Sequence, residues 1–172
     1  MGISYSTYLA NADRTREAGA TLGRLLFAAQ LSQPLTIYLE GELGAGKTTF
    51  VSGMLHAMGH AGPVRSPTYT LVEPYEFKRA DGTTLNAIHM DIYRLTDPSQ
   101  LEELGVRDML VAGTVLLIEW PSQASGFLPQ ADMHIQLDYD AANAGRNLQI
   151  NVHSSPAVQL LQTLQWQYST SP

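Results

Sequence analysis

The stretch LTIYLEGELGAGKTTFVSGMLHAM, residues 35–58, constrains the fold more than any other part of the chain. It opens with a short β-rich apolar run, Leu35 to Leu39, of the kind that forms a buried parallel strand. Gly41 to Thr48 then fit the phosphate-binding pattern G-x-x-x-x-G-K-[ST]. Lys47 to Met58 reads as a helix stopped by Gly59. A glycine-rich turn with a surface lysine would leave this strand, loop, helix order without a reason; a phosphate cradle requires it. Gly41, Gly44 and Gly46 permit backbone angles that a side chain would hinder, so that amides can point inward. The helix adds its positive end. Lys47 is expected to reach the β- and γ-phosphates, and the Thr48 hydroxyl to bind Mg²⁺.

The flanking sequence supplies the elements of one α/β domain. Residues 13–30 place Ala18, Leu22, Leu25, Leu26 and Ala29 at helical spacing, with Asn11 or Asp13 able to cap the start. After a loop with two prolines, residues 70–77 and 84–95 read as a hairpin turned at Asp81-Gly82. Residues 97–110 read as a helix that Asp97 caps, Pro98 begins and Gly105 divides. TVLLIEW, 114–120, is a second fully apolar strand, ending in an acid. Residues 133–139 and 147–153 alternate as half-exposed antiparallel strands do, with Asn143 to Gly145 near their turn. Residues 157–168 read as a final helix. The expected fold is therefore a single phosphate-loop domain over 1–172, with a parallel-core mixed sheet, an antiparallel extension and flanking helices.

Composition narrows the function classes. Hydrophobic residues make up 44% of 172, enough for an ordinary core. There is no apolar run long enough for a membrane span and no secretory signal, so a cytoplasmic protein is expected. Met1-Gly2 opens a loose acylation-like pattern that is read as coincidence. The absence of cysteine excludes disulfides, thiolate metal sites and a thiol nucleophile. The formal net charge is −6, and the lysines are Lys47 and Lys78 alone. A free-standing nucleic-acid binder has a basic surface, so any RNA is expected to be gripped by another chain.

A phosphate-loop enzyme also needs an acid at a neighbouring strand end. Asp91 and Glu119 both qualify. Glu119 follows the more continuous apolar run and is the expected Mg²⁺ ligand, directly or through water. Asp91 is then expected to position or deprotonate the attacking water. The alternative for each is a solvated acid at a strand end. The loop VRSPTYT offers Arg65, Ser66, Thr68 and Thr70 as sensors of the γ-phosphate, the alternative being an ordinary proline-containing turn. No N-K-x-D guanine reader is present, which favours ATP over GTP. The arginines are scattered and suggest neither a second phosphate site nor an arginine finger. The five histidines do not form a metal-ligand spacing. Phe127, Trp166 and the methionines are expected to pack rather than bind.

Five stretches then occur in order: GELGAGKTTF, SPTYTLVEPY, HMDIYRL, LEELGVRD and LLIEWP. Together they resemble the bacterial TsaE (YjeE) family, from about Ala12 to Val152. The resemblance implies the ATPase subunit of the machinery that makes threonylcarbamoyladenosine in certain tRNAs. Its implied partners are TsaD and TsaB, TsaD carrying out the transfer to tRNA while ATP hydrolysis resets the complex. It places ATP phosphates on Gly41, Glu42, Leu43, Gly44, Ala45, Gly46, Lys47, Thr48 and Thr49, and Mg²⁺ on Thr48 and Glu119. It places a switch-like loop on Ser66 to Tyr69, including Thr68, and an arginine near the nucleotide at Arg146. The segment Asn11 to Thr15, with Ala12, falls on the adenine side. The stretch FKRADGTTLNA is longer than the family's usual turn, and the residues after Ser154 match nothing in it. Two other readings are open: a small-molecule or protein kinase of the same fold, and a nucleotide-binding scaffold without turnover.

Overall fold

The computed structural model describes residues 3–142 and 144–169, with side chains through residue 163. The Met1-Gly2 pattern, Asn143 of the expected turn and the Trp166 side chain lie outside the described residues. Strands β1 (Ile3–Leu9), β2 (Leu35–Glu40), β3 (Val72–Lys78), β4 (Thr84–Asp91), β5 (Thr114–Glu119), β6 (Met133–Tyr139) and β7 (Arg146–Val152) form one sheet in the order β1-β7-β6-β2-β5-β4-β3. The helices are α1 (Ala12–Ala28), α2 (Lys47–Met58), the single turn α3 (Gln100–Glu103) and α4 (Ser155–Ser169). The block β6-β2-β5-β4 is parallel, and β3, β7 and β1 pair antiparallel at its flanks. A mixed sheet with a parallel core and antiparallel extensions is thus observed.

Side-chain alternation explains the layers. Leu35, Ile37 and Leu39 of β2 face α1 and α2, packing with Leu22, Leu26, Phe50 and Met54 in the larger core. Tyr38 faces the other way, toward a smaller core of Ile88, Met90, Ile92, Leu116, Ile118 and Ala124. The two helices touch at backbone distance. A Cβ built on Gly19 would lie 2.0 Å from the Phe50 carbonyl oxygen, and one on Gly53 2.0 Å from that of Arg16. Among the described residues, no helix is long and apolar enough to cross a membrane.

Several expectations change. β1 has no counterpart in the sequence reading, and it edges the sheet against β7. β6 is antiparallel only to β7; toward β2 it is parallel. β4 ends at Asp91 rather than running to Leu95, because Asp91 Oδ1 accepts the Tyr93 N–H at 3.0 Å and turns the chain. The expected helix over 97–110 is only α3 followed by a 3₁₀ turn, Val106–Met109. Asp97 does not cap it and Pro98 does not begin it: Asp97 accepts the Ser99 N–H at 2.9 Å in a turn before the helix, Ser99 is the N-cap residue of α3, and Gly105 divides the segment at φ 64°. Phe127 does not pack: it follows Gly126, in a left-handed turn at φ 84°, and stays 45% exposed. Four of the methionines, Met54, Met58, Met90 and Met133, are buried as expected.

Candidate functional site

Ligands of open α/β sheets bind beyond the carboxyl ends of parallel strands. Here β2 delivers the glycine-rich loop at that edge, with β5 and β4 beside it in the sheet. Asp91 and Glu119, the last residues of β4 and β5, lie opposite each other in register. Both are buried, at 4% and 2% exposure, so neither is a solvated acid. A cavity of about 390 Å³ lies above them, lined by phosphate-loop residues, Ser66, Thr68, Tyr93, Arg94 and Trp120.

The loop is braced from outside. Tyr139 donates its hydroxyl hydrogen to the Leu43 carbonyl at 3.0 Å, and Arg146 donates to the carbonyls of Ala45 at 3.0 Å and Gly44 at 3.3 Å. The guanidinium also stacks 4.1 Å above the Tyr139 ring. In a trans peptide the N–H points opposite to the C=O, so holding these carbonyls outward turns the Gly44 and Gly46 amides the other way. Gly46 sits at φ 107° and starts α2. A smaller cleft of about 120 Å³ between α1 and the loop is lined by Asn11, Ala12, Thr15, Thr49 and Arg146 among others. The sequence-predicted Ala12 and Arg146 are therefore side by side, next to the phosphate loop.

Lys47 is buried and donates to the carbonyls of Gly41 at 2.6 Å and Glu42 at 3.0 Å. Its ammonium lies 3.9 Å from the centre of the Trp120 ring. Burial pulls its pKa below the usual lysine value, while Glu119 and Asp91 oppose that fall. Thr48 donates its hydroxyl hydrogen to Glu119, whose two oxygens lie at 2.9 and 3.1 Å. A threonine hydroxyl and a carboxylate converging at a loop mouth are hard oxygen donors, the set that suits Mg²⁺.

Asp91 is tied to the switch-like loop. It accepts from the Ser66 hydroxyl, and Ser66 is 2.9 Å from Thr68. Its own N–H donates to the Leu71 carbonyl at 3.2 Å. Leu71 and Trp120 are the non-glycine residues at positive φ among those described, at 65° and 63°. Such backbone costs about 1–3 kcal/mol per residue and concentrates at functional sites. Both residues adjoin the two acids. Arg65 and Thr70 are absent from the cavity lining, whereas Ser66 and Thr68 are in it.

Two contributors escaped the sequence reading. His89 is fully buried and its Nε2 is 2.8 Å from Glu119 Oε1. Its signal was a histidine two residues before Asp91 in one strand, hence on the same face. Arg94 lines the cavity, its guanidinium 4.9 Å from the Tyr69 ring centre, so the cavity does have an arginine beside the glycine-rich loop. Among the described residues no group of three or more metal-ligating side chains of His, Asp or Glu occurs.

A family model described as "Threonylcarbamoyl adenosine biosynthesis protein TsaE" matches residues 9–148. The chain belongs to the TsaE family. Relatives named tRNA threonylcarbamoyladenosine biosynthesis protein TsaE agree. That of Haemophilus influenzae is 42% identical over 136 residues, 78% of this chain and 83% of its own. That of Treponema pallidum is 32% identical over 127 residues, 74% of this chain and 86% of its own. The crystal structure of Bacillus subtilis YdiB superposes with a TM-score of 0.72 at 25% identity, covering 97% of each chain. The TsaE family is thus one of tRNA threonylcarbamoyladenosine biosynthesis.

Proposed function

We propose that this chain is a Mg²⁺-dependent ATPase that serves tRNA threonylcarbamoyladenosine formation as a subunit acting with TsaD and TsaB in the cytoplasm. The observation that carries this reading is the Thr48–Glu119 pair, which joins the phosphate loop to a buried acid at the next strand end. Lys47 exchanges its two loop carbonyls for β- and γ-phosphate oxygens when ATP enters. The amides of the loop and the start of α2 hold the remaining phosphate charge. Thr48 and Glu119 would hold Mg²⁺, which would supply positive charge against the phosphates. Asp91 keeps acceptor sites beyond those used by Ser66 and the Tyr93 N–H, and with one of them it orients the attacking water. The adenine side rests against Ala12 and the α1 start, with Arg146 bracing the loop.

The test uses ATP labelled at the γ-phosphate, with the chain alone and with a purified TsaD–TsaB pair. Label is expected as inorganic phosphate, released faster with the pair. Turnover that the pair leaves unchanged counts against a partner-dependent subunit. Label appearing on a protein or small molecule would make this chain a kinase instead.

A further inference from the structure

Glu119 is held from two directions. Thr48 reaches it from the first turn of α2, which grows out of the phosphate loop and is subject to whatever that loop binds. His89 reaches it from β4, which is hydrogen-bonded on both sides, to β3 and to β5. The histidine is 0% exposed, and its Nδ1 is buried without a hydrogen-bond partner. Its neighbours in the strand are Ile88 and Met90, and an apolar side chain there would avoid that orphaned nitrogen and its cost. Among the described residues, the Nε2 contact to Glu119 at 2.8 Å is therefore the one polar interaction the imidazole makes. With the hydrogen on Nε2, Nδ1 is left as a bare acceptor, the less costly kind of orphan.

We infer that His89 is a positioning residue whose Nε2–H fixes Glu119 Oε1, keeping the carboxylate aimed at Thr48 while the phosphate loop changes its contacts. The inference rests on the reading of Glu119 as the Mg²⁺-side acid. It separates His89 from ordinary packing: a packing residue would affect the fold and all nucleotide binding alike, whereas a positioning residue affects the Mg²⁺-linked part.

The experiment measures binding of a fluorescent ATP analogue with Mg²⁺ and with chelator, on wild-type protein and on His89→Leu, His89→Gln and His89→Asn, alongside circular dichroism. Gln can present an amide N–H near the Nε2 position; Asn carries the same amide one methylene short. Loss of a residue that orients a metal ligand costs roughly 10- to 100-fold in metal affinity. His89→Leu and His89→Asn should therefore lose most of the Mg²⁺ enhancement while keeping chelator-state affinity, and His89→Gln should recover it. If His89→Leu does not fold, Gln against Asn decides. Equal Mg²⁺ enhancement in Gln and Asn, or equal losses with and without Mg²⁺, would overturn the inference. A wild type with no Mg²⁺ enhancement would remove the metal reading itself and this inference with it; enhancement unaffected by His89 substitution removes this inference alone.

Discussion

In the proposed ATPase, Lys47, Thr48, Glu119 and Asp91 divide the work at the residue scale, and substitutions should separate their parts. Lys47→Ala should weaken nucleotide binding itself, by tenfold or more on the order of a lost charge-assisted hydrogen bond. Glu119→Ala should instead reduce Mg²⁺ dependence and hydrolysis. Titration calorimetry with and without Mg²⁺ distinguishes the two. Normal hydrolysis in Glu119→Ala, with lost metal dependence in Asp91→Ala, would reverse the two acids. Lys47 also carries a pH signature. Its folded pKa lies below 10.5 through burial, so the unfolded chain binds more protons as pH rises toward that value. Stability attributable to Lys47 therefore increases with pH in that window. The denaturation midpoint of wild type relative to Lys47→Met should rise from neutral pH toward 10.5; a difference flat in pH would contradict the burial argument. Of these residues, the loop and both acids were legible in sequence, because each follows an apolar strand. His89 and Arg94 were not, since their partners are set by strand register and by the turn after Asp91, neither of which a spacing pattern carries.

At the scale of elements, the α1–α2 contact determines where the smaller cleft beside Ala12 and Thr15 lies. Gly19, Gly23 and Gly53 let the two helices meet at backbone distance, and added methyls would strike carbonyls that cannot rotate aside. Gly53→Ala should cost about 1–3 kcal/mol or more. Because α1 also contributes Ala12 and Thr15 to the cleft, it should weaken ATP binding as well. Chemical denaturation and nucleotide titration of the same variant check both; wild-type stability would show that the helices separate freely. These helices and the central strands read clearly from periodicity and glycine stops. β1 did not, although Ile3, Tyr5, Thr7 and Leu9 alternate. Its mate β7 is far away in sequence, so no hairpin turn marks it. The segment 97–110 misled because a good cap and acidic first turn say where a helix begins, whereas its length depends on what packs against it.

At the scale of the whole molecule, the candidate site gathers at one edge of the sheet. Of the parallel strands that end there, β2, β5 and β4 bring the loop, Glu119 and Asp91 to one cavity. The formal net charge of −6 disfavours gripping RNA by this chain itself. A subunit that spends ATP while a partner holds tRNA is consistent with that balance, and the family assignment ties it to threonylcarbamoyladenosine. The most direct test is a multiple-turnover modification assay on tRNA with TsaD, TsaB and ATP, in which this chain is added, omitted or replaced by Lys47→Ala. Repeated turnover is predicted with the wild-type chain alone, and little beyond the first round in the other two arms. Equal product in all three would contradict the account.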